Sequence, residues 1–223
     1  GRKDRRQPTK DDPADPIIVH PDVRKDILIM KSLIEGERAL AFWLSQNADV
    51  MLRHSDSDIC EEAADLVALM TPAVKSFFTD VGVEITNNAM QIFGGHGYIK
   101  EHGMEQLVRD VRIAPIYEGT NAVQAIDLVL RKLSLKKGKV VESYLKNIDE
   151  EIDKCVSEAN LKKICLSLRK YNAILKDLTF WIKVNLKNEP DAVNMAATDY
   201  LNIFSLVSIG FMWLKMAAVA YTK

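Results

Sequence analysis

Apolar side chains that recur every three or four residues are the feature that most constrains this chain. The first such run extends from residue 22 to about residue 53, and its spacing predicts one long helix with a single apolar face. The stripe comprises Val23, Ile27, Met30, Ile34, Ala41, Leu44, Ala48 and Met51. Asp22 follows a proline and is predicted to be the N-cap of this helix. Glu37 interrupts the stripe, either as a paired or snorkelling carboxylate or as part of a polar site between helices.

The same period continues along the rest of the chain, between turn residues. Thr71 and Pro72 predict that a helix beginning near Ile59 restarts or kinks, and Thr120 is predicted to cap a helix that runs to about Leu133. Further helical stretches are predicted up to residue 92 and over residues 104–113, 139–158, 160–187 and 191–221. There is no long alternating strand pattern, and glycine and proline are scarce. The sequence therefore predicts an all-α protein.

Three segments are predicted along the chain. Residues 1–21 are charged and contain prolines, which indicates a linker or an extended strap. Residues 22–135 are predicted to form an antiparallel helix bundle, and residues 136–223 a second, truncated helical bundle domain of about three helices. A basic, glycine-bearing break begins at Lys136 and marks the boundary. Because the chain starts at a glycine and stops soon after a dense apolar stretch, we expect it to be a fragment of a longer protein.

Charge, cysteine and histidine patterns disfavour several classes of protein. Thirty basic side chains against 31 acidic ones leave a net charge of -1, whereas nucleic-acid modules usually show a strong basic excess. The three cysteines (Cys60, Cys155 and Cys165) have no C-x-x-C spacing, which disfavours a disulfide framework and favours a reducing, cytoplasmic compartment. The four histidines lack the spacing of a metal-binding helix, so no metal site is predicted.

The most apolar stretch, residues 201–220, is about as long as the ~20 residues that span a bilayer. Four polar residues are spread through it (Asn202, Ser205, Ser208 and Lys215), and no basic flank sets an orientation. A buried bundle helix is therefore the favoured interpretation, and no membrane span is predicted.

Two turns carry residues suited to chemistry. Gly94, Gly95 and Gly97 form a glycine-rich turn at a helix end, which is explained either by a helix C-cap or by the close approach of a ligand. Glu118 lies in a turn between two predicted helices, beside the apolar and aromatic residues Ile116 and Tyr117. An isolated glutamate in a turn is usually exposed. Partial desolvation by these neighbours would raise its pKa and make it a better base near neutral pH.

Taken together, the motifs resemble a known family. The segments QIFGGHGY (residues 91–98), LVRDVRI (107–113) and IYEGTN (116–121), in this order and spacing, resemble the C-terminal helical domain of acyl-CoA dehydrogenases. The resemblance extends over about residues 22–133. Residues 16–22 and 35–40, with the helical extension after residue 133, resemble the larger bacterial branch of the family. That branch includes the methylthiopropionyl-CoA dehydrogenases and carries an extra C-terminal helical domain.

The resemblance implies flavin chemistry. Family members use FAD to oxidise an acyl-CoA to the trans-2-enoyl-CoA: a carboxylate removes the α-proton while the β-hydrogen leaves as hydride. Glu118 falls on the position of the catalytic base, and its own backbone N–H is the candidate donor to the thioester oxygen. Family members are also expected to pass electrons to an acceptor, here an electron-transfer flavoprotein, and to form homodimers or higher oligomers.

The same resemblance implies the residues that face the cofactor. Gln91, Gly94 and Gly95 fall on the turn that approaches the FAD of a neighbouring subunit. The segment after the base faces bound cofactor and comprises Gly119, Thr120 and Asn121. Ala122 departs from the pattern, because many relatives have a glutamine there, so one polar cofactor contact is not expected.

Two alternatives to a dehydrogenase stay open. One is a non-enzymatic helical interaction domain on the same scaffold, including one that binds DNA; the other is a purely structural bundle. The carboxylate of Glu118 and the net charge of -1 favour the enzyme. Because the family's N-terminal helical domain and middle β-domain are absent from this sequence, the chain is expected to carry the base and one wall of the site. Alone it is expected to be inactive and colourless.

Overall fold

In a computed structural model that describes residues 15–221, the chain forms helices and turns, with no strand in that range. The all-α prediction is therefore confirmed. The α-helices are α1 Pro21–Arg53, α2 Ser57–Phe93, α3 Gly95–Tyr98, α4 Met104–Val111, α5 Asn121–Leu130, α6 Lys139–Cys155, α7 Lys162–Asn185 and α8 Pro190–Tyr221. Short 3-10 helices lie at Ile17–Val19, Lys100–His102 and Lys132–Gly138. Most of the predicted strap, residues 1–14, lies outside the described residues.

The beginnings of the first two helices follow from proline and aspartate chemistry. α1 starts at Pro21, which lacks the N–H that a first helical position leaves unused, so Asp22 lies in the first turn. The N-cap position is His20, so the prediction that Asp22 is the N-cap is wrong by two positions. α2 is capped by Asp56, whose Oδ1 accepts hydrogen bonds from the backbone N–H of Asp58 at 2.9 Å and of Ile59 at 3.4 Å.

α2 runs without interruption through Pro72, so of the two predicted alternatives the helix restart is wrong, and a kink stays a prediction. Proline removes one backbone hydrogen bond from a helix interior. The Thr71 hydroxyl donates to the carbonyl of Val67 at 2.7 Å and thereby occupies one of the carbonyls in the preceding turn. Buried apolar side chains lie on both sides of the proline: Leu69, Met70, Ala73 and Phe77. Burial of this face on both sides keeps the two halves in one helix.

The contacts divide the chain into two compact units, and α1 and α2 contribute to both. The first unit contains residues 15–35 and Val81–Ile113, and the second contains residues 36–80 and 114–221. Within the first unit α2 and α4 pack closely, because a Cβ at Gly82 would lie 3.0 Å from the Val111 side chain. The predicted domain boundary at residue 136 is a different division and stays a prediction.

The second unit contains a large core around α8. This helix packs against α5 and α7, and α6 packs against α7. Fully buried apolar side chains from these helices include Leu128, Ile148, Ile152, Leu175, Leu201, Phe204 and Phe211. Two buried hydrogen bonds join the helices across this core: Tyr144 donates to Ser208 at 2.8 Å, and the hydroxyls of Thr179 and Tyr200 lie 2.8 Å apart. The helices of the extension therefore share a buried core with α5.

The basic break before α6 is visible in the backbone. Lys136 and Lys137 have φ angles of 47° and 61°, in the left-handed region that non-glycine residues rarely adopt. The ammonium of Lys136 forms ion pairs with Glu61 at 2.7 Å and Asp65 at 2.5 Å on α2. These two contacts hold the break against α2.

By length and composition alone, α2 and α8 could each cross a bilayer. Core helices of proteins that never enter a membrane satisfy the same criterion. One polar residue of α8 is used inside the protein: Ser208 is fully buried, accepts from Tyr144 and donates to the carbonyl of Phe204 at 2.8 Å. This use of a polar residue is typical of a bundle helix.

Candidate active site

The turn that carries Glu118 connects α4 to α5 and has an unusual backbone. Glu118 has a φ of 54° and Gly119 a φ of 84°, so two successive residues lie in the left-handed region. For a residue with a side chain this conformation costs roughly 1–2 kcal/mol, and such strain clusters at functional sites. The backbone N–H of Glu118 has no acceptor among residues 15–221. The turn therefore presents a carboxylate and a free N–H from the same residue.

Two hydrogen bonds close this turn on itself. The backbone N–H of Asn121 donates to the carbonyl of Pro115 at 3.1 Å, and the side-chain amide of Gln124 donates to the carbonyl of Glu118 at 3.2 Å. Thr120 occupies the N-cap position of α5, as predicted, but its side chain forms no capping hydrogen bond. Gly119 is needed here, because its φ is positive and a Cβ would lie 3.0 Å from the Gln124 amide nitrogen.

A polar cluster on α2 holds the turn in place. The ammonium of Lys75 donates to the carbonyl of Gly119 at 2.7 Å and to Oδ1 of Asn121 at 2.8 Å. The Asn121 amide nitrogen donates to the carbonyl of Ser76 at 3.0 Å and to the hydroxyl of Thr79 at 2.9 Å. Asn121 is predicted to face cofactor, but its side chain is buried and forms its hydrogen bonds with residues of α2.

No sequence motif marks Lys75, Ser76 or Thr79 as functional residues. One signal was present in the sequence: Lys75 is the only lysine or arginine between residues 54 and 99, in the middle of an apolar helix. A single cation in such a stretch points to a specific polar partner, because burying an unpaired charge is costly. The partner could not be read from the sequence, since it lies more than forty residues away.

Glu118 shows the exposure that is usual for an isolated glutamate in a turn, and the alternative of partial desolvation by its neighbours is not found among the described residues. Glu118 is exposed, and its apolar neighbours Ile116 and Tyr117 are 49% and 52% exposed. The turn projects these side chains outward, so they cover no carboxylate. A low-dielectric setting for Glu118 therefore requires additional protein or a bound ligand against this surface.

The glycine-rich turn lies in the first unit, and its glycines differ in their structural constraints. Gly94 has a φ of 61° and ends α2, whereas a Cβ at Gly97 would lie 2.6 Å from the carbonyl oxygen of Met90. Gly95 has neither constraint, because its φ is ordinary and no heavy atom lies within 4 Å of a Cβ built there. Gln91, Gly94 and Gly95 are all exposed. This surface has room for the close approach of an external group.

Glu37 is the most perturbed carboxyl of the second unit. Its Oε1 is buried and has no hydrogen-bond partner among residues 15–221, and burial raises its pKa from 4.5 to about 8. The adjacent Gly36 marks a close helix crossing, since a Cβ there would lie 3.0 Å from Nε1 of Trp213 on α8. Oε1 of Glu37 is therefore not paired with any side chain among the described residues.

The structure brings some of the predicted site residues together. Glu118, Gly119, Thr120 and Asn121 share one turn in the second unit, and the contacts to α2 give that turn a defined geometry. The glycine-turn residues belong to the first unit. Arg109, from the LVRDVRI segment, pairs with Glu105 of its own helix at 2.7 Å, which holds the pKa of the guanidinium above its usual value.

Comparison with known proteins agrees with this combination of fold and turn. The family described as "Acyl-CoA dehydrogenase, C-terminal domain" matches residues 6–133, more than half of the chain. A second family, "Acetyl-CoA dehydrogenase C-terminal like", matches residues 146–223. The chain therefore belongs to the acyl-CoA dehydrogenase family, in the branch with an additional C-terminal helical domain.

Individual relatives support the same assignment. The chain is 42% identical over 139 residues to the 3-methylmercaptopropionyl-CoA dehydrogenase of Ruegeria pomeroyi, covering 60% of this chain and 23% of that protein. It is 30% identical over 218 residues to a butyryl-CoA dehydrogenase of Syntrophomonas wolfei, covering 95% of this chain and 35% of that protein. The chain thus spans about a third or less of the length of these relatives.

A solved structure shares the fold. The crystal structure of Caenorhabditis elegans ACDH-11 in complex with C11-CoA superposes with a TM-score of 0.75 at 19% identity, over 90% of this chain and 33% of that one. The likeness covers the helical extension as well as the motif-bearing helices, because it extends over nine-tenths of the chain.

Proposed function

We propose that this chain is the base-bearing C-terminal part of an FAD-dependent acyl-CoA dehydrogenase, and that Glu118 removes the α-proton of an acyl-CoA thioester. The observation that carries the proposal is the Glu118 turn, which offers an exposed carboxylate and a free N–H on a backbone fixed against α2. Membership of the acyl-CoA dehydrogenase family supports the reaction class.

The proposed reaction removes two hydrogens from adjacent carbons. The Glu118 carboxylate takes the α-proton and becomes a carboxylic acid, while the β-hydrogen leaves with its electron pair. FAD, when bound, supplies the acceptor for that hydride. The backbone N–H of Glu118 hydrogen-bonds to the thioester oxygen, where negative charge develops as the α-proton leaves. The product is the trans-2-enoyl-CoA, and Glu118 later returns its proton to solvent.

The residues of this chain fit a role at the cofactor without forming a full binding site. The exposed Gly94 and Gly95 leave open space that a ligand can approach, and Gln91 presents a side-chain amide beside them. The exposed hydroxyl of Thr120 has no partner within its own helix cap. We propose that Gln91, Gly94 and Gly95 contact the FAD of a neighbouring subunit. Gly119 and Thr120 are separately proposed to face bound cofactor, and Asn121 supports their turn. The rest of the flavin would be held by protein outside this chain.

Substrate and electron acceptor follow from the relatives as proposals. The two relatives above are named for butyryl-CoA and 3-methylmercaptopropionyl-CoA, so short acyl-CoA thioesters are the first substrates to test. An electron-transfer flavoprotein is the proposed acceptor. A homodimer or higher homo-oligomer in the cytoplasm is the proposed working form.

The test uses the full-length gene product that contains this chain. Purified protein is expected to carry flavin and to oxidise a short acyl-CoA with an artificial electron acceptor. Glu118→Gln should retain flavin and lose at least about 10²-fold in turnover, the scale of a positioned base. The matched control is Glu189→Gln, on the exposed loop before α8, which should behave as wild type. Near-normal turnover of Glu118→Gln would remove Glu118 as the base.

A further inference from the structure

Lys75 is held by neutral oxygens at the turn that carries the proposed base. It lies in the middle of α2 and is half-buried between the buried residues Ala73, Ser76 and Phe77. Its ammonium donates to the carbonyl of Gly119 at 2.7 Å and to Oδ1 of Asn121 at 2.8 Å. Both of these acceptors are neutral oxygens, one of a backbone carbonyl and one of a side-chain amide. The charge of Lys75 is therefore directed at the turn itself.

The Gly119 carbonyl belongs to the peptide group between Gly119 and Thr120, one residue beyond Glu118. Its orientation depends on the left-handed conformation of Glu118 and Gly119, with φ angles of 54° and 84°. A hydrogen bond from a charged donor is roughly twice as strong as one between neutral groups, so the Lys75 contact favours this peptide orientation over relaxed alternatives. The same conformation sets the direction of the Glu118 carboxylate and of its N–H.

The side chain of Asn121 attaches the turn to α2 at a second point. Its amide oxygen accepts from Lys75, and its amide nitrogen donates to the Ser76 carbonyl and the Thr79 hydroxyl. The turn is thus fixed to three positions on α2, and residues 75 and 76 lie four and three positions before residue 79, on the same side of the helix. Its own closing bond, from the Asn121 N–H to Pro115, then leaves the segment between them little freedom.

We propose that Lys75 is a positioning residue for Glu118: it acts through the Gly119 carbonyl and Asn121 to hold the base and its N–H in the reactive orientation. This inference rests on the proposed function. Lys75 does not itself take part in the chemistry, because both of its contacts are spent on the turn. Displacement of a reacting group by about 1 Å can cost about 10²-fold in rate, so a relaxed turn would reduce proton transfer strongly.

The test compares Lys75→Met, which keeps the length of the side chain and removes its charge, with Lys75→Arg, which keeps a cationic donor. The control is Lys146→Met, an exposed lysine of α6 paired with Glu150. In the full-length gene product, Lys75→Met should lower kcat by about 10- to 100-fold, change KM by less than threefold and retain flavin. Lys75→Arg should recover part of the loss, and Lys146→Met should match wild type.

Two further readouts separate positioning from a general loss of structure. The isotope effect from deuterium at the α-carbon should increase in Lys75→Met, because removal of the α-proton becomes rate-limiting. Backbone hydrogen exchange at Asn121 should accelerate, whereas exchange in α6 and α8 stays as in wild type. A variant that is only less stable would lose flavin and activity in proportion and would leave the isotope effect unchanged, which would overturn the proposal.

Failure of this inference can be distinguished from failure of the proposed function. If Glu118→Gln is inactive but Lys75→Met keeps kcat within twofold of wild type, Lys75 has no positioning role and the proposed function stands. If wild type oxidises no acyl-CoA, both are overturned. If Lys75→Met does not fold, Thr79→Val removes one hydroxyl partner of Asn121, and an unchanged kcat and isotope effect in that variant would refute the connection.

Discussion

Replacing Glu37 by glutamine should change how the stability of the protein depends on pH. One oxygen of this carboxyl is buried without a hydrogen-bond partner among residues 15–221, and burial raises the pKa of Glu37 from 4.5 to about 8. The folded state therefore keeps the proton up to about pH 8, whereas the unfolded state releases it near its ordinary pKa. Between these values unfolding releases a proton, so the free energy of unfolding falls as the pH rises.

The magnitude follows from the size of the pKa shift. Each pH unit inside this window costs at most about 1.4 kcal/mol, so the change between pH 5 and pH 7 has an upper bound of about 3 kcal/mol. Glu37 is only partly buried, and solvent screening reduces the expected change to roughly 1–2 kcal/mol. The contribution of protonated Glu37 to the free energy of unfolding is fully present below the pKa that the carboxyl has in the unfolded state. It is lost as the pH rises to about 8.

Urea unfolding of wild type and Glu37→Gln at pH 5, 6, 7 and 8 measures this effect. Other titrating groups contribute equally to both proteins, so the informative quantity is the variant's free energy of unfolding minus that of wild type. That difference should grow by roughly 1–2 kcal/mol from pH 5 to pH 7 in favour of the variant. The exposed Glu189→Gln should give a flat difference. A flat difference for Glu37→Gln would refute the assignment of a desolvated carboxyl.

The remaining predictions concern the glycine-rich turn and the chain alone. Gly97→Ala should lower the free energy of unfolding by about 1–3 kcal/mol, because its Cβ would lie 2.6 Å from the Met90 carbonyl; unchanged urea unfolding would contradict this. Gly95→Ala should leave stability unchanged but weaken flavin retention in the full-length gene product, and equal flavin content would argue against a cofactor contact there. The 223-residue chain purified alone should be colourless, and a stoichiometric flavin spectrum would show a complete site.

The helices could be predicted from the sequence because their signals are local. The stripe from residue 22 to residue 53 and the stretches after residue 139 correspond to α1, α6, α7 and α8 within a few residues. The helix restart predicted at Pro72 is wrong, because a proline is a local signal. The burial of Leu69 and Phe77, which keeps α2 continuous, is set by tertiary packing.

Only part of the candidate site could be predicted from the sequence. Glu118 was found because three motifs share an order and spacing with a known family. The contacts that fix its turn, from Lys75 and Thr79 to Asn121, join positions more than forty residues apart in the chain. The spacing of apolar residues along the chain does not indicate which distant side chains form hydrogen bonds with each other. The exposure of Glu118 could be predicted, because an isolated glutamate in a turn is usually exposed, and its apolar neighbours in the sequence do not cover it.

The central claim is that Glu118 removes the α-proton, and single-turnover kinetics of the full-length gene product test it most directly. Wild type and Glu118→Gln, each with full flavin content, are mixed with a short acyl-CoA without an electron acceptor, and flavin reduction is followed by absorbance. The account predicts that reduction in Glu118→Gln is at least about 10²-fold slower while acyl-CoA binding is retained. Flavin reduction at the wild-type rate in that variant would contradict it.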